Sequence, residues 1–274
     1  MKPVSITVAP NGARRTKSDH PALPVTADEV ARAVAACREK GAAMAHVHVR
    51  GRNGEHILDV EAYRDVTSAI RREAGPDIVI QITTEAVGRY GPAQQAELIR
   101  SLKPQAASIA LREIAPGPSE EDSFAELLSW MNTERVSPQI ILYDRQDAAR
   151  LEALETAGKI PFDEIPVLYV LGRYTAGQVS RPIDLLAFLE AGRARRSRWS
   201  VCAFGMNEAA CVTTGALLGG HIRVGFENNL WLPDGSIAGD NAALVSTVAE
   251  GLSRLNIHVM DGPTLWEELC KAFC

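Results

Sequence analysis

A short apolar run followed by an amphipathic helix recurs eight times along this chain, with a period of about 30 residues. Each helix must carry the chain back along the sheet before the next strand begins, so strands joined this way run parallel. Strands are expected over residues 4–9, 43–49, 78–83, 106–111, 139–143, 166–170, 199–204 and 222–226. Helices are expected over 27–40, 60–73, 92–101, 123–133, 147–157, 182–191, 208–218 and 241–253. The first helix has its ends written in the sequence, with Thr26 as N-cap, Glu29 completing a capping box and Gly41 as the stop.

Eight strand–helix units point to a closed parallel barrel, the (β/α)8 or TIM-barrel fold of the α/β class. An open doubly wound sheet shares the period, but its phosphate-binding G-x-G-x-x-G turn is missing after the first strand, where Asn11-Gly12-Ala13 stands instead. The chain has 274 residues, 46% of them apolar, enough for one large core, and no composition shift marks a linker. A single domain over 1–274 is the expectation. A terminal helix over 264–273 should pack outside the barrel or on a neighbouring subunit, which makes a homo-oligomer the expected assembly.

Barrels of this kind place chemistry where the strands end at their carboxyl side. The most informative such end is His46-Val47-His48, since a strand sends residues i and i+2 to one face. Two imidazoles aimed together form half of a divalent transition-metal site. Alone, the pair is more often explained by a strand face meeting polar partners. The second segment, His221 to Asn229, weighs against that reading, because alternation puts Arg223, Gly225 and Glu227 on one face. A packing face would read Val, Ile or Leu, since unpaired buried charge is strongly unfavourable. The proposed metal ligands are therefore His46, His48 and Glu227.

Other polar residues expected at this rim are Asn11, Thr83, Thr84, Glu85, Ser108, Arg112, Glu113, Tyr143, Asp144, Arg173 and Asn207. The basic run from Arg193 to Arg198 precedes the seventh strand and falls at the opposite end, as a solvated loop. A net charge of −5 argues against a nucleic-acid partner. No apolar run approaches the roughly 20 residues that span a bilayer, and the start lacks a signal-peptide pattern, so no membrane partner and a cytoplasmic location are expected. The five cysteines, Cys37, Cys202, Cys211, Cys270 and Cys274, contain no C-x-x-C pair and read as small buried apolar residues.

Three ligands of this type leave a coordination position open, as catalytic zinc sites do. An open zinc either polarises a carbonyl oxygen, for carbon–carbon bond chemistry at a keto group, or activates water for hydrolysis. Arg223 would hold a carboxylate under both schemes.

The segments Thr7-Val8-Ala9-Pro10-Asn11-Gly12-Ala13, Leu23-Pro24-Val25-Thr26, Ala45-His46-Val47-His48-Val49-Arg50 and Gly220 to Asn229 together resemble the β-keto acid cleavage enzyme family. The resemblance implies a zinc-dependent barrel in which a β-keto acid and acetyl-coenzyme A (acetyl-CoA) exchange an acyl group, giving acetoacetate and a new acyl-CoA. It implies His46, His48 and Glu227 as zinc ligands, Arg223 as the arginine of a catalytic dyad, and Thr83 and Ser108 as hydroxyls near the substrate. Asn11 joins them as a substrate-binding candidate. Two positions depart from the family pattern: Asn228 stands where an Asp usually pairs with the arginine, and Gln139 where a Pro-Glu-x-Glu run usually falls. Both changes remove a titratable carboxyl, so proton transfer would pass to a rim carboxyl, with Glu113 as candidate beside Arg223 and Asn228, and Glu85 and Asp144 as substitutes. Two alternatives stay open: a metal-dependent hydrolase of the amidohydrolase kind, and a non-catalytic binder of keto acids or CoA esters.

Overall fold

The structure, a computed structural model, describes residues 2–189 and 196–273. Eight parallel strands close into a barrel: β1 Val4–Val8, β2 Ala42–Val47, β3 Val79–Thr83, β4 Ala106–Ala110, β5 Ser137–Leu142, β6 Val167–Leu171, β7 Trp199–Ala203 and β8 His221–Val224. Closure comes from pairing of β8 with β1, in register Ile6↔Ile222 and Thr7↔Arg223. The surrounding helices include α1 Ala27–Glu39, α2 Val60–Ala74, α3 Pro92–Leu102, α4 Glu121–Thr133 and α5 Arg145–Thr156. They continue with α6 Leu186–Leu189, α7 Glu208–Leu217 and α8 Asn241–Arg254. The capping box at Thr26 forms as expected, with Glu29 N–H donating to the threonine hydroxyl and Thr26 N–H to the glutamate.

Strand alternation divides the barrel into two layers. Outward-facing Ile6, Val8, Ala45, Val47, Ile80, Ile82, Ile109 and Ile140 join the helices in the main core. The inward set changes character along the axis, from Met44, Val79 and Ala106 at the amino-terminal end to His46, Gln81, Thr83, Ser108 and Arg223, all buried, towards the carboxyl-terminal end. Apolar filling at one end and polar side chains at the other is what leaves a reactive floor on a packed barrel.

Three expectations need correction. The sixth helix, expected over 182–191, is a 3-10 turn at Pro182–Leu185 followed by only Leu186–Leu189, and the end of the expected span lies outside the described residues. The terminal helix, α9 Gly262–Cys270, does not sit outside the barrel: Leu265, Trp266 and Leu269 pack with Met44, Val79 and Ala106 across its amino-terminal mouth. Covering that apolar floor removes it from water, which is the stronger driving force. The eighth strand ends at Val224, two residues before the expected end. Gly225 turns the chain with φ +138°, and a Cβ there would lie 2.4 Å from the Ala9 carbonyl oxygen, so only glycine fits.

Of the basic run, residues 193–195 lie outside the described residues, as does Cys274. Arg196 pairs with Glu155 at 2.6 Å. Cys37, Cys202 and Cys211 are buried, and Cys270 is half-buried.

Candidate metal centre and active site

His46 lies in β2 and His48 just past its end. Their Nε2 atoms are 3.2 Å apart. Glu227, arriving on the turn after β8, places Oε2 3.4 Å from His46 Nε2 and 3.2 Å from His48 Nε2. Ligands held tetrahedrally about a zinc ion at roughly 2.0–2.1 Å are separated by roughly 3.3 Å, so this triangle has the size a bound zinc requires. Glu227 Oε2 is buried and has no hydrogen-bond partner among the described residues, as expected of an atom reserved for a cation. These residues fit a divalent metal.

Neighbouring side chains fix the ligands. The Oε1 of Gln81 accepts from His46 Nδ1 at 2.8 Å, which leaves the Nε2 lone pair free for a metal. Gln81 and His46 are register partners on β3 and β2. Behind Gln81, its Nε2 donates to Gln139 Oε1 at 3.2 Å, and Gln139 in turn donates to Ser200 Oγ at 3.4 Å. Gln139, where the resemblance expects a carboxyl, thus sits inside the barrel as a rear support of His46. Asn11 grips the backbone of His48, donating to its carbonyl at 3.1 Å and accepting from its N–H at 3.4 Å. It is fully buried and positions the ligand from behind.

Gly12 has φ +60°, and a Cβ on it would come within 2.5 Å of Glu227 Cγ. The glycine is what lets Glu227 lie against the loop after β1. Arg50 ties down the same loop through the carbonyls of Gly12 and Arg15, the latter at 2.9 Å.

A cleft opens beside His46 and Glu227, lined also by Thr83, Glu85, Ser108, Glu113, Tyr143, Arg173, Phe204 and Arg223. Arg223 is buried and reaches Glu227 Oε1 at 3.2 Å and Asn228 Oδ1 at 3.1 Å through Nη2. Ser108 Oγ is buried without a hydrogen-bond partner among the described residues, and Thr83 Oγ1 accepts from Glu85 N–H at 3.1 Å. Glu113 accepts from Ala86 N–H at 2.9 Å. Asp144 is elsewhere: it caps α5 and pairs with Arg112 at 2.5 Å.

Burial sets the electrostatics. Desolvation pulls His46 and His48 down to about 4 against the opposing pull of Glu227, so both imidazoles are neutral at physiological pH, as metal ligation would require. Glu227 is held well below the carboxylate range: burial opposes its charge, but Arg223, His48 and His46 overcome that. Glu85 is pushed up to about 7 by burial and by Glu227, and burial raises Glu113 as well.

Two residues of the site lack an obvious sequence signal. Gln81 is neutral and mid-strand, and only its i+2 relation to Thr83 hinted at a shared face. Glu208, buried under the turn that carries Glu227, reads in sequence as an acidic first-turn residue. The other histidines do not converge here. His20 hydrogen-bonds the Ala238 carbonyl at 2.8 Å, and His221 accepts from Ser5 N–H at 3.0 Å near the amino-terminal end. The His56 ring lies 4.9 Å from that of His48, tilted by 59°, but spends its Nε2 on the Glu85 carbonyl. The four-histidine arrangement of the hydrolase alternative is not assembled among the described residues.

A family model described as beta-keto acid cleavage enzyme matches residues 3–268. A 3-oxoadipate:acetyl-CoA acetyltransferase of Cupriavidus necator is 31% identical over 255 residues, 90% of this chain and 88% of its own. A 3-keto-5-aminohexanoate cleavage enzyme of Fusobacterium nucleatum is 29% identical, covering 90% of each chain. Among solved structures, a binary complex of ObcA with oxaloacetate superposes with a TM-score of 0.69 at 16% identity, over 91% of this chain and 67% of that one. A type I 3-dehydroquinate dehydratase of Clostridium difficile gives 0.60 at 12% identity, over 93% and 94%. These structural likenesses establish the barrel.

Proposed function

This chain belongs to the β-keto acid cleavage enzyme family, and from that premise we propose that it exchanges acyl groups between a β-keto acid and acetyl-CoA at a zinc ion held by His46, His48 and Glu227. In the overall reaction the bond between C2 and C3 of the keto acid breaks and its C2 joins the acetyl carbonyl carbon. The thiol sulfur passes to the released acyl group, so acetoacetate and acyl-CoA leave in equal amounts. Bound zinc supplies a Lewis acid that draws electron density from the keto oxygen.

The protein's own groups do the rest. Arg223, fixed from below, presents its positive charge to the carboxylate or to developing negative charge in the cleft. Ser108 Oγ is free to donate to a substrate oxygen. Glu85, pushed up to about 7 by burial, is the cleft carboxyl able to carry a proton near neutral pH, and burial raises Glu113 in the same direction. Arg173 stacks on Phe204 at 5.1 Å and meets Glu85 at 3.6 Å, and it lines both the main cleft and the adjoining pocket with Arg14. With Glu85 partly neutral, that cation is incompletely matched, which favours a keto acid carrying a second anionic group, as 3-oxoadipate does.

The observation that carries this reading is the convergence of His46, His48 and Glu227 beside Arg223. Zinc-loaded protein given acetyl-CoA and a panel of β-keto acids should yield acetoacetate and the matching acyl-CoA by mass spectrometry. No product across the panel, with zinc at stoichiometry, would overturn the proposal. The neutral Asn228 beside Arg223 favours one other outcome, a binder without turnover, which tight keto acid binding without product would identify.

A further inference from the structure

Glu208 opens α7 and is only 2% exposed, yet it makes no ion pair among the described residues. A buried, unpaired carboxyl is destabilising unless hydrogen bonds compensate it. Its compensation comes from one short turn. Oε1 accepts from Gly225 N–H at 3.2 Å and from Asn228 Nδ2 at 3.4 Å, while Oε2 accepts from Asn229 Nδ2 at 3.2 Å. That turn carries Glu227, and the far side of the Asn228 amide accepts from Arg223.

We propose that Glu208 is a positioning residue that acts through the amide of Asn228 to hold Arg223, and thereby keeps Glu227 aimed at the metal. The inference rests on reading His46, His48 and Glu227 as a metal centre. Oε1 of Glu208 already accepts from the Gly225 N–H and so meets Asn228 as an acceptor, which orients Nδ2 of Asn228 towards Glu208 and Oδ1 towards the guanidinium. Arg223 Nη2 then divides its contacts between Asn228 and Glu227 Oε1, and Glu227 keeps Oε2 free on the side of the imidazoles. Were the amide reversed, its N–H groups would face the guanidinium, and Arg223 would be left with Glu227 and the Cys202 sulfur. Asn229 is not free to compensate, because its side chain is already tied to Trp231 N–H at 3.0 Å and to the Trp231 carbonyl at 2.6 Å.

Swapping the charge between the two positions tests the relay. In E208Q the new amide meets the Asn229 amide donor to donor, and in N228D two carboxyls face each other. Each single variant should bind zinc about tenfold more weakly in competition with a chromophoric chelator, with kcat falling more than KM. In E208Q/N228D the repulsion is gone and the glutamine amide can donate to the new aspartate, at the expense of the bond that Oε1 accepts from Gly225 N–H, so zinc affinity should recover to between that of the single variants and that of the parent. Independent sites would instead give the product of the two losses, about a hundredfold. That product, or a single variant that binds zinc like the parent, overturns the relay. Circular dichroism reports folding. If E208Q does not fold, N228D against the double variant decides, recovery supporting the relay and further loss overturning it. A parent that binds zinc but makes no acetoacetate refutes the proposed reaction while the zinc affinities still judge the relay. A parent that binds no zinc overturns both.

Discussion

His46 shows how a single residue acquires a role from its neighbours. Burial removes its proton, and Gln81 then fixes which ring nitrogen carries the remaining hydrogen. The ligand was legible in the sequence because His-x-His at a strand end is a strong local pattern. Gln81 was not, since nothing local distinguishes a supporting amide from any buried polar residue; its role exists only once β2 and β3 are in register. Glu208 is hidden for the same reason. Asn11 was legible as a rim residue, but the structure turns its amide onto the His48 backbone rather than into the cleft. Arg173 carries a prediction at this scale. Arg173→Gln should lower kcat/KM about thirtyfold for a β-keto diacid and change it less than threefold for a monoacid of equal length. Equal effects on the two acids would remove Arg173 from substrate selection.

Elements place these residues, and two short turns matter more than any helix. The loop after β1 approaches the turn after β8 so closely that a Cβ on Gly12 would overlap the Glu227 side chain. Gly12→Ala combines strain at φ +60° with a contact that Glu227 must yield to, so zinc affinity should fall at least tenfold and the melting temperature should drop by several degrees. Unchanged zinc affinity would mean that Glu227 is not held by this contact. Strand positions were legible because period-2 apolar runs bounded by glycine and proline have few other readings. The short sixth helix was not: Pro182 and Asp184 read as a helix start, while the actual chain makes a 3-10 turn there. Nor could local pattern show that α9 covers the barrel floor, because its apolar face fits any apolar partner.

At the scale of the whole molecule, the barrel was written in the eightfold repeat, and the site in residues some 180 positions apart that closure of β8 on β1 brings together. Concentrating buried titratable groups at one end of the barrel has a consequence for stability. His46 and His48 fall to about 4 and His56 to about 3, so the folded metal-free protein resists protons that the unfolded chain takes up below about 6.5. Their contribution is present above 6.5 and is lost as pH falls towards 4. Glu85, raised to about 7, and Glu208, raised to about 8, act oppositely, favouring the folded state at low pH and losing that contribution as pH rises from about 4.5 through those values. Burial lowers His221 as well and raises Glu113, so four histidines, joined below 4.5 by Glu227, outweigh three carboxyls on the acid side. The melting temperature of metal-free protein should therefore fall steadily from pH 6.5 to pH 4, and a flat or rising profile would contradict the burial assigned to these histidines.

All of this depends on three side chains sharing one ion. Elemental analysis of zinc-supplemented, extensively dialysed protein addresses that directly. One zinc per chain in the parent, with near-complete loss in H46A, H48A and E227Q while the barrel stays folded, is the predicted result. Substoichiometric zinc in the parent, or zinc retained after removal of any of the three, would contradict it.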